Sequence, residues 1–330
     1  MKKIFALLLS AALLVTLLAA CGGGNTTDTD TDTQEPATDA STTQVEEQEP
    51  DTGDASKDDP LNQDEIGEKE LLVVSFGTSY NDSRRETIGA IEKAMQTAFP
   101  DYSVRRAFTS QIIIDHVKDR DGVTIDNVEQ ALERAVNNGV KTLVVQPTHL
   151  MNGLEYEELT DELAKYSDSF EKIAIGDPLL TSDADFEAVM TAITDATEDA
   201  ADGKTAICFM GHGTTADSNS VYSKMQTLLT DKGFNDYYVG TVEATPSLDD
   251  VLAAVQKGNY EKVILRPLMI VAGDHANNDM AGDEDDSWKS TFEKAGYTVD
   301  CQVEGLGQLE AIQQLFVEHA KAAVASAEAE

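Results

Sequence analysis

Basic residues are scarce in this chain: 24 Lys and Arg stand against 61 Asp and Glu, a formal charge of −37 over 330 residues. Nucleic acids are bound through clustered cations, so this excess argues against a nucleic-acid partner. Cysteine is rarer still. The three copies, Cys21, Cys208 and Cys301, show no CxxC spacing of the metal-binding kind. Cys208 and Cys301 each sit in an apolar strand-like stretch and read as buried free thiols. No P-loop pattern occurs, which fits chemistry that needs no nucleotide. Histidine is limited to five copies, and two of them, His212 and His275, stand among small residues directly after apolar strand-like runs. In α/β folds that is where ligands bind.

The first twenty residues are a different kind of sequence. Met1-Lys2-Lys3 followed by an apolar run to Ala20 has the form of a signal peptide, shorter than a spanning helix needs. It ends in Leu18-Ala19-Ala20-Cys21, which resembles a bacterial lipobox and implies lipidation of Cys21 after cleavage. The expected location is therefore extracytoplasmic, on a membrane reached through a lipid anchor. Residues 21–68 are rich in Thr, Asp, Glu, Gln, Ser and Pro and lack aromatics. Such a segment buries too little apolar surface to offset its ordering entropy, and it is expected to be a disordered acidic tether.

From Lys69 onward, apolar runs alternate with amphipathic stretches. The runs at Leu71–Phe76, Ser103–Phe108, Thr142–Pro147 and Lys172–Ile175 are separated by helical patterns, and a second series follows at Thr205–Met210, Tyr237–Val242, Lys262–Pro267 and Tyr297–Val303. A helix from Leu309 to about Ala325 closes the chain. Continuous apolar strands between helices imply parallel sheets covered on both faces. The two series also match each other: Val74-Ser75-Phe76-Gly77-Thr78 aligns with Met210-Gly211-His212-Gly213-Thr214, and Lys141–Pro147 with Lys262–Pro267. The expectation is an α/β protein of two similar doubly wound, parallel-sheet lobes, residues 69–200 and 201–330, facing a central cleft.

Within that frame His212, Glu243 and His275 follow the first, second and third strands of the second lobe, and neighbouring strand ends can bring them together. Phe76, Phe108 and Glu155 take the corresponding places in the first lobe. Two imidazoles and a carboxylate suit a borderline divalent cation such as Co, Ni, Zn or Fe(II) and leave coordination positions open. From spacing alone, a strand-end histidine in a tight turn and a separate loop histidine account for the pattern equally well.

Six segments, in order, carry a resemblance. They are Ser75-Phe76-Gly77-Thr78-Ser79, Arg106-Ala107-Phe108-Thr109-Ser110, Asn152-Gly153-Leu154-Glu155-Tyr156-Glu157, Met210-Gly211-His212-Gly213, Val242-Glu243, and Pro267 through Gly273-Asp274-His275-Ala276. Together they resemble the anaerobic sirohydrochlorin cobaltochelatases, single-chain class II chelatases of cobalamin biosynthesis. The similarity extends from about Leu71 to the final helix. It implies two chelatase-type lobes around a tetrapyrrole cleft and ATP-independent insertion of Co(II) into sirohydrochlorin. It also implies His212, Glu243 and His275 as metal ligands, with His212 as the proton acceptor.

Ser75, His149 and Arg106 are candidates for contact with the macrocycle. Arg84, Arg85, Arg105 and Arg266 share with Arg106 the forked geometry that binds carboxylates, although most are expected to pair with the abundant acids. His116 and His319 lie in helical patterns and read as surface or packing residues. The signal and tether depart from a cytoplasmic biosynthetic enzyme. They leave a second reading, in which the same cleft serves an extracytoplasmic lipoprotein that binds a tetrapyrrole such as haem, or a metal, for uptake or storage. Self-association into a homo-oligomer is compatible with either reading.

Overall fold

The computed structural model describes residues 52–329. The expected signal peptide, Cys21 and residues 21–51 of the expected tether lie outside the described residues. The apolar runs form eight strands: β1 (Lys69–Ser75), β2 (Ser103–Phe108), β3 (Thr142–Pro147) and β4 (Lys172–Ile175), then β5 (Thr205–Gly211), β6 (Tyr237–Thr241), β7 (Lys262–Pro267) and β8 (Thr298–Cys301). They make two wholly parallel four-stranded sheets, ordered β2-β1-β3-β4 and β6-β5-β7-β8. The central strands are mostly apolar because both faces are covered. In β1 every residue after Lys69 is buried, and in β5 every residue is.

Among the described residues, nine α-helices lie between the strands and a tenth follows the last of them. In the first half these are α1 (Asn81–Glu86), α2 (Ile88–Ala98), α3 (Gln111–Asp121), α4 (Val128–Asn137), α5 (Leu154–Ala164) and α6 (Asp183–Asp195). In the second they are α7 (Ser220–Asp231), α8 (Leu248–Val255), α9 (Trp288–Lys294) and α10 (Glu310–Ala329). Side-chain caps start several of them: Asn127, Ser182 and Ser247 each close a capping box with the residue three positions on.

Strand register makes the internal repeat exact at the residue level. Val74 pairs with Pro147 as Met210 pairs with Pro267, so Phe76 and His212 hold equivalent places one residue beyond their strands. The N–H groups of Thr109 and Ser110 donate to the carbonyls of Ser75 and Phe76, and those of Val242 and Glu243 donate to the carbonyls of Gly211 and His212. The first-half counterpart of Glu243 is therefore Ser110. Phe108, expected there from alignment of the motifs, is still inside β2 and completely buried.

The expected division after residue 200 separates the two sheets but not the packing. Helix α10, at the end of the chain, packs on β3, β4 and α2 of the first half, where Ala323 and Ala327 lie against Val144. Helix α6 packs on α7 and joins a core shared by both sheets, with Leu71 and Val73 of β1, Ile207 and Phe209 of β5, and Phe316 of α10. An amphipathic helix buries its apolar face on whichever sheet is open to it, and the periodicity of its sequence does not name that sheet.

A second correction concerns residues 52–68, expected in the disordered tether. They form a strap across the first lobe. Asp82 N–H donates to the Thr52 carbonyl at 2.9 Å, Asn62 Nδ2 to the Thr124 carbonyl at 2.9 Å, and Arg106 N–H to the Leu61 carbonyl at 3.2 Å. Leu61 enters the core. The strap thus runs beside β2, an edge strand that also makes a parallel bridge from Phe108 to Asn127. Its anchor is Asp58, which accepts from Arg84 Nε at 2.6 Å and from Arg106 Nη1 and Nη2 at 2.7 and 3.0 Å. Composition misses this because the strap is held mainly by charge supplied from the lobe.

Candidate metal centre

Glycines shape the turn that presents His212. A Cβ on Gly211 would meet the Tyr222 ring at 2.1 Å, and Gly213 holds φ +87 with its Cβ position 2.9 Å from Ala244. Neither site admits another residue without movement. The Gly213 N–H donates to the buried Tyr222 hydroxyl at 3.3 Å. His212 Nδ1 lies 2.7 Å from the Gly213 carbonyl, which fixes Nδ1 as the protonated nitrogen and leaves Nε2 as the ligand atom.

His275 is oriented in the same manner by a carboxylate. Its Nδ1 lies 2.7 Å from Asp279 Oδ2, four residues on, across a single π-helical turn at Ala276–Met280. Such turns are uncommon and frequent at functional sites. Asp279 thereby fixes the ring orientation and tautomer, as carboxylates behind metal-bound histidines do. Glu243 is placed by its own backbone N–H, which donates to the His212 carbonyl at 2.9 Å.

Three strand ends therefore bring His212, Glu243 and His275 together. Their ligand atoms lie within 4.8 Å of one another, and the two imidazole rings meet edge to face with centroids 4.7 Å apart. Two ligands at about 2.1 Å from one ion stand at most about 4.2 Å apart. Drawing the set onto one cation takes side-chain movement, which the exposed Glu243 carboxylate can supply. Solvent reaches all three side chains, so an ion held there keeps open positions.

The cleft beside them is a cavity of about 320 Å³ that takes its walls from both halves: Phe76, His149, Leu154 and Glu155 from the first, His212 and Glu243 from the second. Among the described residues, no Lys or Arg lines it. Ser75 borders it, but its hydroxyl is 2.7 Å from that of Thr148 inside the lobe, so it forms wall rather than contact. Both ring nitrogens of His149 are sealed from solvent and without a hydrogen-bond partner. Burial lowers its pKa to about 4 against the opposing pull of Glu155, and the imidazole is neutral at ordinary pH.

Arg106 does not reach the cleft. It is buried with Glu92 at 2.7 Å and Asp58 at 2.7 Å. Burial by itself would depress its pKa, but the two carboxylates hold it above the ordinary guanidinium value. Arg84 shares Asp58, Arg105 pairs with Asp126 at 3.2 Å, Arg266 with Glu304 at 2.9 Å, and Arg85 with Asp82 and Glu86. A buried guanidinium must be paired, and each found its acid inside the protein. His116 is exposed on α3, and His319 bonds Asp185 at 3.0 Å. Sequence reasoning missed Asp279 as the residue that orients His275. The i,i+4 spacing on a helical turn was the available signal.

Residues 69–325 match the family model described as Cobalt chelatase (CbiK). The chain is 38% identical over 251 residues to "Sirohydrochlorin cobaltochelatase" of Salmonella typhimurium, covering 76% of this chain and 94% of that one. It is 30% identical over 260 residues to "Sirohydrochlorin cobaltochelatase CbiKC" of Nitratidesulfovibrio vulgaris, covering 78% and 91%. Among solved structures, SirB from Bacillus subtilis with Fe3+ shares the fold with a TM-score of 0.57 at 14% identity, covering 80% of this chain and 98% of that one. With the family model matched over both sheets and these relatives spanned nearly end to end, the chain belongs to the cobalt chelatase family.

Proposed function

We propose that the protein is a sirohydrochlorin cobaltochelatase, a class II chelatase that inserts Co(II) into sirohydrochlorin without a nucleotide. The observation that carries this reading is the convergence of His212, Glu243 and His275 beside a cleft with room for part of a macrocycle. Metallation replaces two pyrrole N–H protons with bonds to Co(II), so two protons must leave for each ion inserted. With Nδ1 committed to the Gly213 carbonyl, His212 offers Nε2 first to the incoming ion and then, as the pyrrole nitrogens displace the protein ligands, to a departing proton. The second proton passes to water at the open mouth of the cleft.

Delivery requires an incomplete ligand shell. Three side chains leave positions that water occupies and the macrocycle can take over. Glu243 supplies one negative charge, which lowers the cost of desolvating a divalent ion. Asp279 keeps His275 in the tautomer that can bind. The purified chain is expected to convert sirohydrochlorin and Co(II) to the cobalt form, followed by absorbance, and His212→Ala is expected to abolish turnover. Insertion at the uncatalysed rate by the wild-type chain overturns the reading.

We further propose that Cys21 is lipidated and that the protein is anchored outside the cytoplasm, on the strength of the Leu18-Ala19-Ala20-Cys21 motif. The same motif supports a second reading, capture of a tetrapyrrole, haem included, or of a metal for uptake. Incorporation of labelled palmitate that Cys21→Ser removes tests the anchor. Tight binding of sirohydrochlorin or haem without turnover selects capture over catalysis.

A further inference from the structure

Four large apolar side chains stand exposed among the described residues: Phe76, Ile112, Val136 and Leu154. Two of these, Phe76 at 49% and Leu154 at 55% exposure, line the cleft that His212 and Glu243 line from the other side. Phe76 follows β1 and Leu154 opens α5 after β3, so both come from strand ends of the first sheet. The metal-type residues come from strand ends of the second. The register equivalence makes the contrast specific: where the second half places His212, the first half places Phe76.

Exposing that much aromatic and aliphatic surface to water is unfavourable unless a ligand covers it. The chemistry of the rest of the cavity narrows the choice of ligand. With no cation in the lining, a polycarboxylate cannot be held there by ion pairs, and Glu155 and Glu243 repel one. A flat conjugated ring can instead be held by its face, with its acidic substituents projecting from the cleft mouth. Aromatic faces and branched aliphatics are the groups that bind such a surface.

We propose that Phe76 and Leu154 form the platform on which the tetrapyrrole lies, presenting its opposite face to His212, Glu243 and His275. This rests on the chelatase reading above and extends it by assigning the two faces of the macrocycle. The one-sided arrangement also has a consequence for turnover. An imidazole at position 76 would offer the metallated product an axial ligand from the first half, whereas a phenyl ring cannot ligate cobalt. The platform grips the ring without gripping the metal.

The test measures the affinity of the full chain for metal-free sirohydrochlorin from the change in macrocycle fluorescence, alongside Co(II) affinity by calorimetry without tetrapyrrole. For Phe76→Ala/Leu154→Ala the platform predicts tetrapyrrole affinity reduced about tenfold or more. Co(II) affinity should stay within about twofold, and the loss in turnover should appear in KM rather than kcat. Phe76→Leu should recover part of the affinity. Wild-type affinity should not decline as salt is raised, because apolar contact is not screened.

Tetrapyrrole affinity of the double variant within about twofold of wild type overturns the platform while leaving the chelatase reading standing. So does a tenfold loss of wild-type affinity at high salt, which would reveal ion pairing. Failure of the wild-type chain to bind sirohydrochlorin at all overturns the chelatase reading, and the platform with it. Because both side chains are already half exposed, their removal leaves the buried core untouched.

Discussion

Asp58→Ala is expected to be among the most destabilising single substitutions in the strap, although the residue lies outside the matched family segment. Its side chain is 3% exposed and neutralises two guanidiniums that are 0% and 1% exposed, Arg84 and Arg106. Arg106 keeps Glu92, but Arg84 loses the Asp58 carboxylate and remains buried. Removing one member of a buried pair costs about 3–5 kcal/mol, because the partner is left charged and dehydrated. At this chain length about 2 °C is lost for each kcal/mol, so the melting temperature should fall by about 6–10 °C. Lys57→Ala, which removes an exposed contact of 3.9 Å to Asp54, should change it by less than about 1–2 °C.

A pH series separates charge from packing. Burial raises the pKa of Asp58, but Arg106 and Arg84 outweigh it and hold the carboxyl below its ordinary value of 3.8. A depressed acid contributes its stability above that ordinary value and loses it as pH falls through the folded-state value. The gap between wild type and Asp58→Asn should therefore be constant above about pH 5 and close in stronger acid. Calorimetric melting of both variants reads this directly. A melting temperature for Asp58→Ala within about 1 °C of wild type would refute the account of the strap as an ordered, charge-held part of the fold.

Other consequences follow from the same packing. Glu70 is buried on β1 with neither carboxylate oxygen hydrogen-bonded, and burial raises its pKa to about 7 despite the nearby Arg105 and Arg134. Its folded form binds the proton more tightly, so stability should fall as pH rises from 4.5 to 7, by an amount on the order of 3 kcal/mol, and level off above; Glu70→Gln should flatten that slope in denaturant titrations. Asp279→Ala should weaken Co(II) binding about 10- to 100-fold in calorimetry, with little change in melting temperature, by freeing the His275 ring. Gly213→Ala forces a side chain into a left-handed backbone conformation against Ala244; it should cost about 1–2 kcal/mol and slow cobalt insertion by displacing His212.

Much of this was legible because parallel strands buried on both faces leave a strong mark. The run Leu71–Phe76 reads as a buried strand, and the echo of Val74–Thr78 in Met210–Thr214 pointed to the second sheet. Strand ends made His212, Glu243 and His275 possible neighbours, and the family resemblance singled them out as a ligand set. What escaped lies at longer range. Helix α10 has an apolar face that reads clearly as a helix, but its choice of the first sheet depends on the Ala323 and Ala327 face fitting Val144. Residues 52–68 look disordered by composition, because their ordering comes from Arg84 and Arg106 of the lobe, and composition does not show which acid each arginine meets. Pairing with the abundant acids was expected for most of the arginines and is found; Arg106, offered to the macrocycle, pairs with Asp58 and Glu92 instead.

The central claim is that one Co(II) is held by His212, Glu243 and His275 facing the tetrapyrrole cleft. Crystals of the protein soaked in Co(II) and measured on either side of the cobalt absorption edge test it most directly. The account predicts a single strong anomalous peak within coordinating distance of His212 Nε2, His275 Nε2 and a Glu243 carboxylate oxygen. A soaked crystal with no peak there, or with its strongest peak on other ligands, would contradict it.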